Sequence, residues 1–266
     1  MKKYHILMLS CIAIFVMGSF VPALGDPMGD WLGRAKVDAK VRADLTNAWN
    51  DTASSTSLER LDQFGQIAAK ADGRIRYFAG LKLEEWPNVD MTKVDADIDS
   101  YPAGMVDNLR LWFARQLALA SLYDEAEVQL GKINEDAVFD KMSLHFYRAV
   151  TAYRKMDKAA TAKHVKALYD YEKENGQTLP ERYKVVARLM AEDITGVKDG
   201  SLDHIARQME DIERRLDLGR SGKKVQNKED DVLKALDKII EEIEKQQQKQ
   251  KGQDSTQSTK PAEDSQ

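Results

Sequence analysis

One cysteine, Cys11, is present in 266 residues, which excludes a disulfide-stapled scaffold and any multi-thiolate metal site. Only six residues are proline, so long helices can run uninterrupted. Histidine is scarce as well. His145, His164 and His204 have no second histidine or cysteine three or four residues away, so the chain has neither an H-E-x-x-H zinc helix nor a haem-attachment motif. A basic excess is missing: 40 basic side chains against 44 acidic ones give a formal net charge of -4, which argues against a nucleic-acid binder. No G-x-S-x-G elbow occurs. The one basic glycine run, Gly219-Arg220-Ser221-Gly222-Lys223-Lys224, has Asp217 where a phosphate loop needs its first glycine. It reads as a hinge between helices. Nothing here implies a cofactor or a metal.

What is present begins with a leader. Lys2 and Lys3 precede an almost unbroken apolar run from Ile6 to Val21, and Ala23-Leu24-Gly25 places small residues before Asp26. Charge, a short apolar helix and small residues in that order read as a secretory signal peptide cut after Gly25. A run this short falls below the roughly 20 apolar residues of a membrane span. Removing residues 1–25 takes the cysteine, one histidine and two lysines, and moves the net charge from -4 to -6. The expectation is an exported, periplasmic or secreted bacterial protein with no stable membrane span, folded by apolar burial alone.

Nearly every later segment has helical periodicity. Val37, Val41, Leu45 and Trp49 recur at i+4. Thr56-Ser57-Leu58-Glu59 has capping-box spacing, and so has Thr178-Leu179-Pro180-Glu181. Ser201 is placed to cap a helix striped by Leu202, Ile205, Met209, Ile212 and Leu216, which reads as the last layer of a stack, apolar inward and charged outward. Residues 86–104, with Pro87 and Pro102, read as irregular. The alternating acids Asp95, Asp97 and Asp99 read as a solvated turn, with an irregular calcium site as the alternative.

An offset of 33 residues relates two segments. Leu111, Phe113 and Arg115 match Leu144, Phe146 and Arg148; Leu117 matches Val150, Asp124 matches Asp157 and Ala126 matches Ala159. Each copy reads as a helix, a short break and a second helix, with the alanines at the crossing. The arrangement resembles the tetratricopeptide repeat, a helical hairpin of about 34 residues. The resemblance implies an all-α fold of stacked antiparallel hairpins, a solenoid whose concave wall holds a protein or peptide partner. The matched arginines Arg115 and Arg148 are the candidate partner-binding residues, able to hold a carboxylate.

The expected organisation is a signal peptide (1–25), an N-terminal helical region (26–105), hairpin repeats (106–219), an amphipathic helix (220–245) and a disordered tail (246–266). Val225, Val232, Leu236, Ile239 and Ile243 form a seam that either self-associates as a coiled coil over Val225–Ile243 or docks back onto the stack. The functional expectation is an exported, non-catalytic scaffold for protein–protein interaction in the bacterial envelope. Its alternatives are a structural envelope component oligomerising through the C-terminal helix and a carboxylate-dependent secreted hydrolase.

Overall fold

A computed structural model describes residues 26–257; the signal-peptide reading of residues 1–25 and the end of the expected tail, 258–266, lie outside the described residues. The described residues are helical and contain no strand. In chain order they form α1 (Pro27–Arg34), α2 (Ala39–Asp51), α3 (Ser57–Ala71), α4 (Gly73–Ala79), a 3-10 turn (Leu83–Asn88), α5 (Met91–Asp99), α6 (Ala103–Leu119) and α7 (Tyr123–Gly131). A second 3-10 turn (Glu135–Ala137) leads to α8 (Lys141–Arg154), α9 (Lys158–Asn175), α10 (Glu181–Gly196), α11 (Leu202–Asp217) and α12 (Lys223–Gln257).

Local signals account for many of these ends. Thr56 and Glu59 make the full reciprocal box at the start of α3, and the Ser201 hydroxyl accepts from the His204 amide, each satisfying a free first-turn donor. The expected box at Thr178 does not form. Pro180 stands at the cap, and the Leu179 amide donates back to Glu172 Oε1 at 2.9 Å instead. The stripe from Val37 to Trp49 is interrupted, because Asp38 caps α2 and leaves Val41 42% exposed. The irregular segment holds more order than its prolines suggested: the first 3-10 turn buries Trp86 against Phe78 and Phe113, with ring centroids 6.3 and 5.9 Å away.

One continuous core joins Met28 to Met190, so no break in packing falls at residue 105. Helix α1 packs on α6, and α3 packs on both α6 and α8. Residues Asn108–Ala114 of α6 are all buried, which explains its dense apolar sequence. The close α3–α6 approach runs through Gly65, where a Cβ would stand 2.0 Å from Trp112 Nε1.

The hairpins α6–α7 and α8–α9 share a turn in which Ser121 (φ 62°) and Met156 (φ 65°) adopt left-handed backbone. The following amides, Leu122 and Asp157, bond back to Leu117 and Ala152. The turns recur 35 residues apart, two more than the sequence offset. In this register Asn108 matches Ser143, Leu109 matches Leu144 and Ala114 matches Ala149, all fully buried. Thr161, not Ala159, takes the place equivalent to Ala126 in the second hairpin: Thr161 is buried and Ala159 exposed. A slip of two residues turns a helix by about 200°. Because α6 is buried on nearly every side, its apolar pattern does not resolve that rotation.

Helix α10 packs on α8 and α9, while α11 pairs with α12 rather than with α10. Ile205, Ile212, Val225 and Val232 form a second, small core between α11 and α12. The boundary read at Gly219 therefore lies inside a packed hairpin. Val225 and Val232, expected in a self-associating seam, are buried against α11. Helix α12 continues to Gln257, past the expected start of the tail at 246, since its glutamines and lysines are good helix formers with no proline to stop them.

Candidate interaction surface

Arg115 and Arg148 do not share a surface. Arg115, its side chain 11% exposed, pairs with Asp62 of α3 at 2.5 Å. The N-terminal helices thus cover the wall on which a partner was expected. Arg148 donates to Glu135 at 3.0 Å and to the Leu130 carbonyl at 3.1 Å, clamping the turn between α7 and α8. Both guanidiniums hold the fold together through partners on other segments of the chain. Asp95 and Asp99 sit one turn apart on α5 and both engage Arg110 of α6, with Lys132 at 2.8 Å from Asp95. That is a helical ion-pair cluster and not a calcium loop. Burial pushes the Asp95 carboxyl up, but hydrogen bonds from Lys132, Gln129 and Arg110 outweigh it and hold the group at about 2.

His145 and His164 stack with ring centroids 6.1 Å apart, and His145 Nε2 lies 3.1 Å from Glu135 Oε1. In the 35-residue register they occupy the places of Arg110 and Gln129. No group of three or more metal-ligating side chains occurs among the described residues. Burial, with Arg148 and His145 nearby, pushes His164 down to about 4; burial also lowers His145 against the opposing pull of Glu135. The folded chain therefore keeps His164 neutral where the unfolded chain takes up a proton near pH 6.5. Stability is unaffected above pH 6.5, falls as the pH drops from 6.5 towards 4, and stops falling on this account below 4. Urea midpoints measured between pH 7.5 and 4.5 should show this slope, and His164→Gln should flatten it; an unchanged slope in the variant assigns it to other groups.

The C-terminal hairpin is held to the rest of the molecule by charge. Within the hairpin Asp211 orients the cations that do this and ties α11 to α12, accepting from Arg214 at 2.5 Å, Arg215 at 2.8 Å and Lys228 at 2.5 Å, with its own side chain 4% exposed. Arg215 also pairs with Asp124 of α7, which Lys224 approaches at 2.7 Å. Arg214 donates to the Ser121 carbonyl and lies 4.9 Å over the Tyr123 ring. Further along, Arg207 forks onto Asp193 of α10, and the Tyr153 hydroxyl donates to the same carboxylate at 2.6 Å. The expected orientation of α11 is only half met: Ile205 and Ile212 of the stripe are buried, but Asp211 and Arg215 of the charged side are buried with them, and Leu202, Met209 and Leu216 stay outside. The rotation is set by Asp124 of α7, which holds Arg215, and Asp193 of α10, which holds Arg207.

The opposite side of the hairpin is apolar and open. Leu202, Met209 and Leu216 recur every seven residues on α11 and are 64, 52 and 45% exposed. Leu233 and Ile240 repeat the spacing on α12 at 59 and 53%. Beside them, a cleft of about 510 Å³ separates α11 from the first 3-10 turn and the end of α6, with Leu83, Pro87 and Leu119 on one wall and Glu210, Glu213 and Asp217 on the other. A second cleft, of about 640 Å³, opens between α4 and α5 beside Tyr77 and Lys93. Sequence reasoning found the α11 stripe but missed this surface, because which part of the stripe stays uncovered depends on the orientation of the helix. The sequence and the fold were compared with known proteins: no family model, no curated protein and no solved structure matches the chain.

Proposed function

We propose that the chain is an exported, non-catalytic helical scaffold that binds another protein of the bacterial envelope through its C-terminal hairpin. The observation that carries this reading is the two-helix apolar face of α11 and α12, left open on a hairpin whose other side is pinned by paired charge. Contiguous exposed apolar surface of this kind marks interaction sites in soluble proteins. Export rests on the charge, apolar run and small residues of 1–25.

Capture from an envelope fraction, using the tagged full chain with and without Met209→Glu and Ile240→Glu, tests the reading. Proteins retained by the wild type and lost from the variant are expected; an identical set from both overturns it. The alternative, a structural component that self-associates through α12, predicts a dimer in light scattering that the same two substitutions dissolve. Point substitutions are preferable to deleting 225–266, since that deletion would expose Ile205 and Ile212.

A further inference from the structure

We infer that the open face of the α11–α12 hairpin, with the cleft beside it, docks a basic amphipathic helix from another protein. The inference rests on the scaffold reading above and names the chemistry of the partner.

The shape comes first. The Lys228–Asp211 contact sets the antiparallel register of the two helices, which places Leu233 at the level between Leu202 and Met209, and Ile240 just beyond Leu202. At 100° per residue, Leu202, Met209 and Leu216 fall within one narrow sector of α11, displaced from the Asp211–Arg214–Arg215 side that meets the body. Leu233 and Ile240 are displaced in the same sense from Lys224 and Lys228 on α12. The two rows therefore border a single shallow trough. The α11 row runs along the whole helix, 16 residues or about 24 Å, with Leu233 and Ile240 bordering its N-terminal half and the cleft opening beside its C-terminal half; that is the span of a short amphipathic helix lying in a groove.

Charge selects the occupant. Glu210, Glu213 and Asp217 flank the α11 row, and Glu84 faces them across the cleft. Asp230, Asp237 and Glu244 flank the α12 row by the same phase argument. None of these seven carboxylates makes an ion pair among the described residues. By contrast Asp124, Asp193 and Asp211, on the side facing the body, are each paired. Arg214 reaches the cleft but is engaged by Asp211 and the Ser121 carbonyl. A second copy of the hairpin would set one acidic rim against another, and an anionic lipid surface would meet the same repulsion. A helix with apolar residues at i, i+3, i+4 and i+7 and lysine or arginine on its shoulders satisfies both the trough and the rim.

The probe is a synthetic 18-residue leucine/lysine amphipathic helix, read by fluorescence anisotropy against the full chain. A dissociation constant in the micromolar range at low salt is expected, weakening at least tenfold at about 0.5 M salt because the rim is exposed. The triple variant Glu210→Gln, Glu213→Gln, Asp217→Asn should weaken binding more than tenfold. A charge-matched control on other exposed acids, Asp44→Asn, Asp51→Asn, Glu174→Gln, should leave it within twofold. Equal losses in both triple variants overturn the inference, as does equal binding of a leucine/glutamate peptide. A wild-type dimer dissolved by Met209→Glu assigns the face to a second copy, and salt-dependent partition onto anionic vesicles assigns it to lipid; either overturns the inference too. If envelope capture depends on Met209 and Ile240 while the basic peptide fails to bind, the scaffold reading stands and this one falls.

Discussion

Asp211→Asn should destabilise the C-terminal hairpin by about 3–5 kcal/mol, the usual range when one partner is removed from a buried ion-pair network. The substitution keeps the side-chain shape and removes the charge on which Arg214, Arg215 and Lys228 converge. Arg215 would be left in a site where its own side chain is 5% exposed, sharing Asp124 with Lys224. The loss should be regional. Because α11 and α12 close on a core of their own, their amides should exchange faster as a unit while those of α8 keep their protection. A uniform loss across α8 and α11 would contradict the division of the core. A change below about 1 kcal/mol would mean that the network behaves as solvent-screened surface pairs. Burial pushes the Asp211 carboxyl up, but hydrogen bonds from Lys228, Arg215 and Arg214 outweigh it and hold it far below the usual carboxylate range. Its contribution is therefore fully present above about pH 4 and is lost only as the pH falls through that depressed value. The hairpin should stay docked through the range in which His164 weakens the main core.

Gly65→Ala should lower the unfolding free energy by about 1–3 kcal/mol through overpacking. The sign is the informative part, because alanine in place of glycine inside a helix ordinarily stabilises by about 1 kcal/mol. Here the added methyl would stand 2.0 Å from Trp112 Nε1 and 2.4 Å from Cε2. The indole has little room to yield: Trp112 is 4% exposed and lies against Phe113 with ring centroids 5.1 Å apart. Denaturant midpoints of Gly65→Ala, Trp112→Leu and the double variant form a cycle. The double variant should be markedly more stable than the sum of the singles implies, since leucine vacates the space the methyl needs. Strict additivity would mean that α3 and α6 do not meet there.

Features written in a few neighbouring residues were legible in the sequence. The Thr56–Glu59 box and the Ser201 cap each depend on a side chain and an amide within one turn. Features that depend on a distant partner were not. Arg115 and Arg148 match across the repeat offset as a partner-binding pair would, but the fold sets Asp62 and Glu135 beside them. Gly65 carries no local signal at all, being a helical glycine whose reason is an indole on another helix. The candidate surface lies between these cases. Its stripe on α11 follows from periodicity, but the exposure of Leu202, Met209 and Leu216 follows from Asp193 and Asp124, which hold Arg207 and Arg215 against the body and so set the rotation of the helix.

The packing of α3 on α6 and α8 also sets a timetable. In an ordinary solenoid each hairpin closes on its predecessor as it appears. Here Leu61 and Phe64 of α3 are fully buried only once residues 103–154 are in place. A chain made from its N-terminus at about 5–20 residues per second holds those side chains without the α6 and α8 side of their core for several seconds. During that interval the N-terminal helices are the part of this protein most in need of a holding chaperone.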